Sequence, residues 1–256
     1  MADPNDSLEA RTQHQQDDIA EAPAPRERAF NLPGVVLVAI IVCAATQILS
    51  AYVLTIDQNI DLIVRGAFIP IRYTGGYEID IFAFTSPVTY SLLHGGWAHL
   101  VVNMIWLAAF GSPLAARLGI WRFILFWIAT SVAAAGLHFA LHPYDEAPLV
   151  GASGAISGMM GAAARFAFRI DRCGSLPSFA GPVLPIPFVL RMRGVLIFLG
   201  VWMIVNLLTG VFSLVPNMED SIAWEAHIGG FLVGFFGIGL FDRGPVHAIE
   251  TKEPEA

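Results

Sequence analysis

The sequence predicts an all-α membrane protein, a bundle of six transmembrane helices with both termini in the cytoplasm. The hydrophobic fraction of the 256 residues is 55% and the charged fraction is 14%, whereas soluble domains carry about 25% charged residues. Six stretches are long enough to cross a bilayer core, which takes about 20 apolar residues as helix. The cations are also divided very unevenly between the two sides that these stretches define.

Composition divides the chain into three parts. Residues 1–30 are predicted to be a disordered cytoplasmic tail, 31–242 the membrane domain and 243–256 a short cytoplasmic tail. The first apolar run begins near Leu32, too late and too long for a signal peptide. The predicted spans are 32–54, 97–115, 120–141, 152–169, 194–213 and 223–241.

The distribution of Lys and Arg orients these spans. With the amino terminus inside, 12 of the 14 cations fall on inner segments, and only Arg65 and Arg72 fall on outer ones. Cytoplasmic segments of membrane proteins carry such an excess of cations. An even number of spans then places both termini in the cytoplasm.

Two connecting segments are long. Residues 55–96 are rich in apolar side chains and are predicted to lie partly in the outer leaflet, with a partly disordered loop as the alternative. Residues 171–193 contain four prolines and predict an irregular cytoplasmic loop.

Charge and cysteine content exclude several classes of function. A net charge of −7 with few cations argues against nucleic acid as a partner. The two cysteines, Cys43 and Cys173, exclude a disulfide scaffold and a tetrathiolate zinc site.

Polar side chains inside three predicted spans are candidates for function, because ionisable groups are costly in a bilayer. His99 and Asn103 are four residues apart in the second span and share one helical face. Ser153 lies in the first turn of the fourth span, and His227 lies near the start of the sixth. All four are predicted to lie at similar depth near the outer leaflet.

Structural roles compete with function at each position. Gly154 and Gly158 follow Ser153 at a spacing that also serves close helix packing in membranes. Gly230, Gly234 and Gly237 lie on the face of His227 and are expected to press against the fourth span. A buried histidine is often only a hydrogen-bonded core residue.

Together the polar groups predict nucleophilic catalysis. A serine is a weak nucleophile until a neighbouring base takes its proton, and a neutral His227 is suited to that task. His99, Asn103 and the amide of Ser153 are expected to donate hydrogen bonds to an oxyanion. Since no Asp or Glu within the spans is expected to orient His227, a Ser–His dyad is expected.

Three motifs stand out in the sequence: HGGWxHxxxN from His94, GASG from Gly151 and AHxGGxxxG from Ala226. Through these motifs the chain resembles the rhomboid intramembrane serine proteases over nearly all of residues 60–242, in their basic six-helix bacterial form. Two positions depart from the family pattern. Ser157 stands where an aromatic often stacks on the catalytic histidine, and Thr85-Ser86 stands where many members carry Trp-Arg in the first loop.

The resemblance implies a role for each motif residue. Ser153 is the expected nucleophile, His227 the general base, and His99 and Asn103 the oxyanion donors beside the Ser153 amide. The residues with implied structural roles near the site are His94, Gly151, Gly154, Gly230 and Gly234.

The resemblance also implies the setting of the reaction. Substrates are expected to be single-span or multi-span membrane proteins that enter from the lipid bilayer through a lateral gate made by the fifth helix and residues 214–222. No cofactor or metal is implied. The expected location is the bacterial plasma membrane, with the active site towards the outer leaflet.

Three alternatives stay open at the level of sequence. The first is a non-catalytic rhomboid-like protein that binds transmembrane helices, although such relatives usually lack the Ser or the His. The second is a small transporter, which predicts an internal repeat that is not seen here. The third is a zinc site formed by His99 and His227, for which no HExxH motif or third ligand is evident.

Overall fold

The computed structural model describes residues 32–167, 181–211 and 223–242. Helices begin at or near all six predicted spans. In chain order they are α1 (Gly34–Ile48), α2 (Ile56–Gly66), α3 (Ile81–Thr89), α4 (Trp97–Trp106), α5 (Ser112–Leu118), α6 (Ile120–Leu141), α7 (Ser153–Phe166), α8 (Ile186–Val189), α9 (Arg193–Val211) and α10 (Trp224–Phe241). The two predicted tails, Cys173 and the gate loop 214–222 lie outside the described residues.

Within the described residues, four helical stretches are long and apolar enough to cross a membrane: Gly34–Val53, Trp97–Leu118, Ile120–Leu141 and Trp224–Phe241. Wider π-type turns extend α1 through Val53 and join α4 to α5. The predicted all-helical fold of a membrane protein is therefore confirmed. The orientation of the termini stays a prediction.

The fourth predicted span, α7, is the centre of the fold. It has only 14 residues, and every one after Ser153 is buried. A helix that is enclosed on all sides contacts protein rather than lipid, so it does not need a strongly apolar surface. This explains why its glycine- and alanine-rich sequence is less hydrophobic than that of α1.

Glycines bring α7 and α10 into direct backbone contact. A Cβ atom built on Gly230 would lie 1.9 Å from the carbonyl oxygen of Gly154, and one on Gly234 would lie 1.9 Å from that of Gly158. Because residue numbers rise together along both helices, α7 and α10 run parallel. Their amino-terminal ends therefore lie at the same end of the bundle. Gly237, which was expected on this face, would meet only Val233 of its own helix.

Residues 55–96 fold into short helices, so the alternative of a partly disordered loop is wrong. A capping box starts α2, in which Thr55 and Gln58 each accept a hydrogen bond from the backbone of the other. The Asp80 carboxylate caps α3 by accepting a 3.0 Å hydrogen bond from the Ala83 amide. The expected position of residues 55–96, partly in the outer leaflet, stays a prediction.

Hydroxyl groups hold this segment together without the Trp-Arg pair found in many family members. The Tyr73 hydroxyl donates to the Ala83 carbonyl at 2.6 Å and lies 2.9 Å from the hydroxyl of Ser86, one of the two departing positions. The Thr89 hydroxyl donates to the Gly66 carbonyl at 2.8 Å and so links α3 to α2. The departure at Ser86 is thus part of an alternative set of contacts.

The same segment holds the chain that leads into α7. Phe68 and Leu149 form an antiparallel bridge through hydrogen bonds of 3.2 and 2.8 Å. The Gly151 amide donates to the Tyr90 carbonyl at 3.0 Å, and the Tyr90 hydroxyl donates to the Ser131 carbonyl at 3.0 Å. The position of Ser153 therefore depends on contacts from residues 68 to 131.

Two buried arginines tie the opposite end of the bundle. Arg117 forms a 2.7 Å salt bridge with Asp242. Arg165 donates to the carbonyl of Leu184 at 2.6 Å and to that of Phe235 at 2.7 Å. The predicted irregular loop 171–193 is described only from residue 181, where it contains the one-turn helix α8.

Candidate active site

Ser153 and His227 lie on adjoining turns of the parallel helices α7 and α10. A Cβ on Gly154 would lie 3.7 Å from the carbonyl oxygen of Ala226, so the residues next to the two candidates are in contact. Both side chains are partly exposed. Within the described residues no hydrogen bond joins them, and such bonds are often long in substrate-free proteins.

The His99 ring faces Ser153 across Gly151. A Cβ built on Gly151 would lie 2.7 Å from His99 Nε2 and 3.7 Å from Ser153 Oγ. The Gly95 amide donates to His99 Nδ1 at 3.4 Å. A neutral ring that accepts at Nδ1 carries its proton on Nε2. The resulting N–H donor points to the space beside Ser153.

Asn103 is buried one turn after His99. Its amide nitrogen donates to the His99 carbonyl at 2.9 Å. An amide has two N–H donors, so this bond engages one of them. The predicted common face of His99 and Asn103 is thus observed, with Asn103 tied to the helix backbone.

His94 packs against His99. The two ring centroids are 5.3 Å apart in an edge-to-face arrangement. Burial, and secondarily the proximity of His99, lowers the pKa of His94 to about 4. His94 is therefore neutral at physiological pH and supports the His99 ring by packing.

The structure adds a residue that the sequence analysis did not single out. Asn206 of α9 accepts a hydrogen bond from Nδ1 of His227 through its side-chain oxygen. The Asn206 amide nitrogen lies 3.2 Å from the Trp224 carbonyl, to which it donates. The signal for Asn206 in the sequence is its polar amide in an otherwise apolar stretch of α9.

An aromatic contact lies one turn away from this bond. Trp202 of α9 and Phe231 of α10 stack with ring centroids 4.5 Å apart. Ser157, at the position where many relatives have an aromatic, is buried. The aromatic side chain that stacks on α10 here therefore comes from α9.

A buried carboxylate links α6 to the start of α10. Glu225 lies 2.6 Å from Nδ1 of His138 and 3.4 Å from Nε2 of His142. These contacts fix the first turn of α10, two residues before His227. Among the described residues, no group of three or more His, Cys, Asp or Glu side chains is arranged to hold a metal ion.

Comparison with known proteins finds a family match over the part of the chain that carries these residues. A model of the rhomboid domain matches residues 83–242. The chain is 32% identical to rhomboid protease GluP of Bacillus subtilis over 145 residues, which are 57% of this chain and 24% of that protein. It is 29% identical to RHOMBOID-like protein 5 of Arabidopsis thaliana over 149 residues, 56% of this chain and 40% of that relative.

The chain thus spans less than half the length of either relative. The domain match, however, covers well over half of this chain and includes all three sequence motifs. On these grounds the chain belongs to the rhomboid family.

Proposed function

We propose that this protein is an intramembrane serine endopeptidase, which hydrolyses peptide bonds in or next to the transmembrane segments of other membrane proteins. The observation that carries the proposal is the glycine-mediated parallel packing of α7 and α10. It brings a serine and a histidine to the same end of two closely packed helices, with a third polar group, His99, beside the serine. The similarity to a relative named as a protease supports the same function.

In the proposed reaction, His227 accepts the hydroxyl proton of Ser153 through Nε2. The Ser153 oxygen forms a bond with the carbonyl carbon of the substrate, and the C–N bond then breaks as His227 returns the proton to the leaving amine. A water molecule, deprotonated by His227, releases the acyl group and regenerates the serine.

Hydrogen-bond donors surround the place where negative charge develops. The first intrahelical bond of α7 runs from the Ile156 amide to the Ala152 carbonyl, so the amide of Ser153 has no acceptor within the helix. The Nε2–H group of His99 faces the same space. One such donor commonly raises kcat by about 10²–10³-fold.

The substrate class follows from the setting. A spanning helix hides its carbonyl groups in intrahelical hydrogen bonds, so substrates should carry small or helix-breaking residues where local unwinding costs less. Because α7 and α10 run parallel, the chain between them must cross the membrane once in the opposite direction. The fifth span does so in the six-span topology that we infer. We place the site towards the outer leaflet of a bacterial plasma membrane.

The proposal is tested by covalent labelling with a serine-reactive fluorophosphonate in detergent micelles. We expect the wild-type protein to be labelled at Ser153, the Ser153→Ala variant not to be labelled, and the His227→Ala variant to react far more slowly. Labelling at another residue, or none in the wild type, would contradict the proposal. Binding of a transmembrane peptide without labelling would indicate the non-catalytic alternative.

Replacement of Gly151 by alanine should uncouple His99 from the site. The new Cβ would lie 2.7 Å from His99 Nε2, and Gly151 has a φ of +119°, where side chains are strained. We expect labelling of Ser153 to slow by about 10²-fold, because displacement of His99 removes an oxyanion donor. Pseudo-first-order labelling rates measure the effect.

Gly75→Ala is the matched control, because Gly75 also has a positive φ, +88°, but nothing lies within 4 Å of its Cβ position. It introduces backbone strain without a clash and should leave labelling within about twofold of wild type. Equal slowing in both variants would argue against the role of His99.

A further inference from the structure

We propose that Asn206 positions His227 for catalysis by holding its ring in one tautomer, which makes a Ser–His–Asn arrangement of the expected dyad. This inference rests on the proposed function. It concerns a residue of α9, 21 positions before the histidine in sequence, whose side-chain oxygen faces His227 Nδ1.

The orientation of the Asn206 amide follows from its second contact. The amide nitrogen is 3.2 Å from the Trp224 carbonyl oxygen. A carbonyl oxygen only accepts hydrogen bonds, so the nitrogen must be the atom that faces Trp224. The other end of the amide, its oxygen, is then directed to His227.

That orientation specifies the protonation state of the histidine. The amide oxygen is an acceptor, so the Nδ1 atom of a neutral His227 carries the proton. Its Nε2 atom then has a free lone pair, as a general base requires. His99 has the opposite tautomer because its Nδ1 accepts from Gly95. The two histidines thus divide the roles of base and oxyanion donor.

The same bond limits rotation of the ring. Many relatives have an aromatic stacked on this histidine, but position 157 is a serine. The stacked pair Trp202 and Phe231 joins α9 to α10 about one helical turn from Asn206 and His227. Two contacts on consecutive turns therefore keep the Asn206 side chain opposite the histidine.

Two substitutions separate positioning from packing. Asn206→Leu keeps the size of the side chain and removes the acceptor, whereas Asn206→Asp keeps an acceptor and adds charge. A hydrogen bond to the imidazolium that forms in the transition state corresponds to about 10–100-fold in rate. We therefore expect Asn206→Leu to lower kcat by about this factor and to leave KM unchanged.

The Asn206→Asp variant should recover most of the kcat that Asn206→Leu loses, and it should alter the pH profile of labelling. A carboxylate beside Nδ1 favours the protonated imidazole, so the acid limb of the labelling rate should move to higher pH. Ile204→Ala is the control, because this residue of α9 is 58% exposed. It should keep wild-type kcat and the wild-type pH profile.

The experiment measures fluorophosphonate labelling from pH 5 to 9 and cleavage of a labelled single-span substrate in proteoliposomes. Wild-type kcat in Asn206→Leu would overturn the inference. So would an unshifted profile in Asn206→Asp, even if the Leu variant failed to fold. In either case the wild-type protein would still be labelled. Failure of the proposed function would be recognised differently, because the wild-type protein itself would then not be labelled.

Discussion

Substitution of Ser153 or His227 by alanine should lower cleavage of a single-span substrate by about 10⁴–10⁶-fold, because each removes a group that takes part in bond making. Ser153 supplies the oxygen that attacks the carbonyl. His227 supplies the base without which that oxygen stays protonated. The residual rate should come from substrate binding and the oxyanion donors alone.

The two effects should not add. Once either residue is absent, the other has no partner in the reaction, so the double variant should be about as slow as each single one. Additive losses would indicate that the two side chains act separately, for example as helix-packing residues. This comparison distinguishes a catalytic pair from two structural residues.

Initial rates in proteoliposomes with a fluorescently labelled substrate measure both effects. Ser50→Ala and Tyr144→Ala are suitable controls: Ser50 hydrogen-bonds to Asn59 at 2.7 Å in the first part of the fold, and Tyr144 is 75% exposed. Both should cleave within a few-fold of wild type. Cleavage that survives Ser153→Ala would remove Ser153 from the mechanism.

Insertion of one methyl group between α7 and α10 should destabilise the whole protein. A Cβ on Gly234 would lie 1.9 Å from the Gly158 carbonyl oxygen and 2.7 Å from its Cα. These are backbone atoms, so no side-chain rotation relieves the clash and the helices must separate. We expect Gly234→Ala to lower the free energy of unfolding by about 3 kcal/mol, the upper end of ordinary overpacking.

For a domain of this size, that change corresponds to a decrease in Tm of about 6–12 °C. Thermal unfolding in detergent micelles, followed by tryptophan fluorescence, measures it. Gly239→Ala lies on the same helix with nothing within 4 Å of the Cβ position. It should raise stability slightly, because alanine is the better helix former. Similar Tm values for the two variants would contradict the proposed packing.

Local sequence patterns were sufficient to locate the helices of the predicted spans. Hydrophobic runs of about 20 residues do not depend on their neighbours to be recognised, so the starts of α4, α6 and α10 were predicted to within one residue. The motif residues Ser153, His99 and His227 were identified because polar groups are rare in such runs.

Contacts between distant segments were beyond the reach of those patterns. The short helices of residues 55–96 depend on hydrogen bonds such as that from Thr89 to Gly66, 23 positions away. A composition of mixed polar and apolar residues does not distinguish these folded pieces from a loop. Likewise, the sequence of α7 does not indicate that other helices surround it, and only the packed structure shows that it is buried.

Hydropathy and motifs are enough to recognise a helical membrane protein of the rhomboid type and to identify the serine and histidine that are candidates for catalysis. Only the packed helices reveal that α9 places Asn206 against His227 and that Gly151 separates His99 from Ser153. Hydropathy and motif spacing are properties of one segment. A hydrogen-bond partner or a tautomer is set by side chains that meet only after the helices pack.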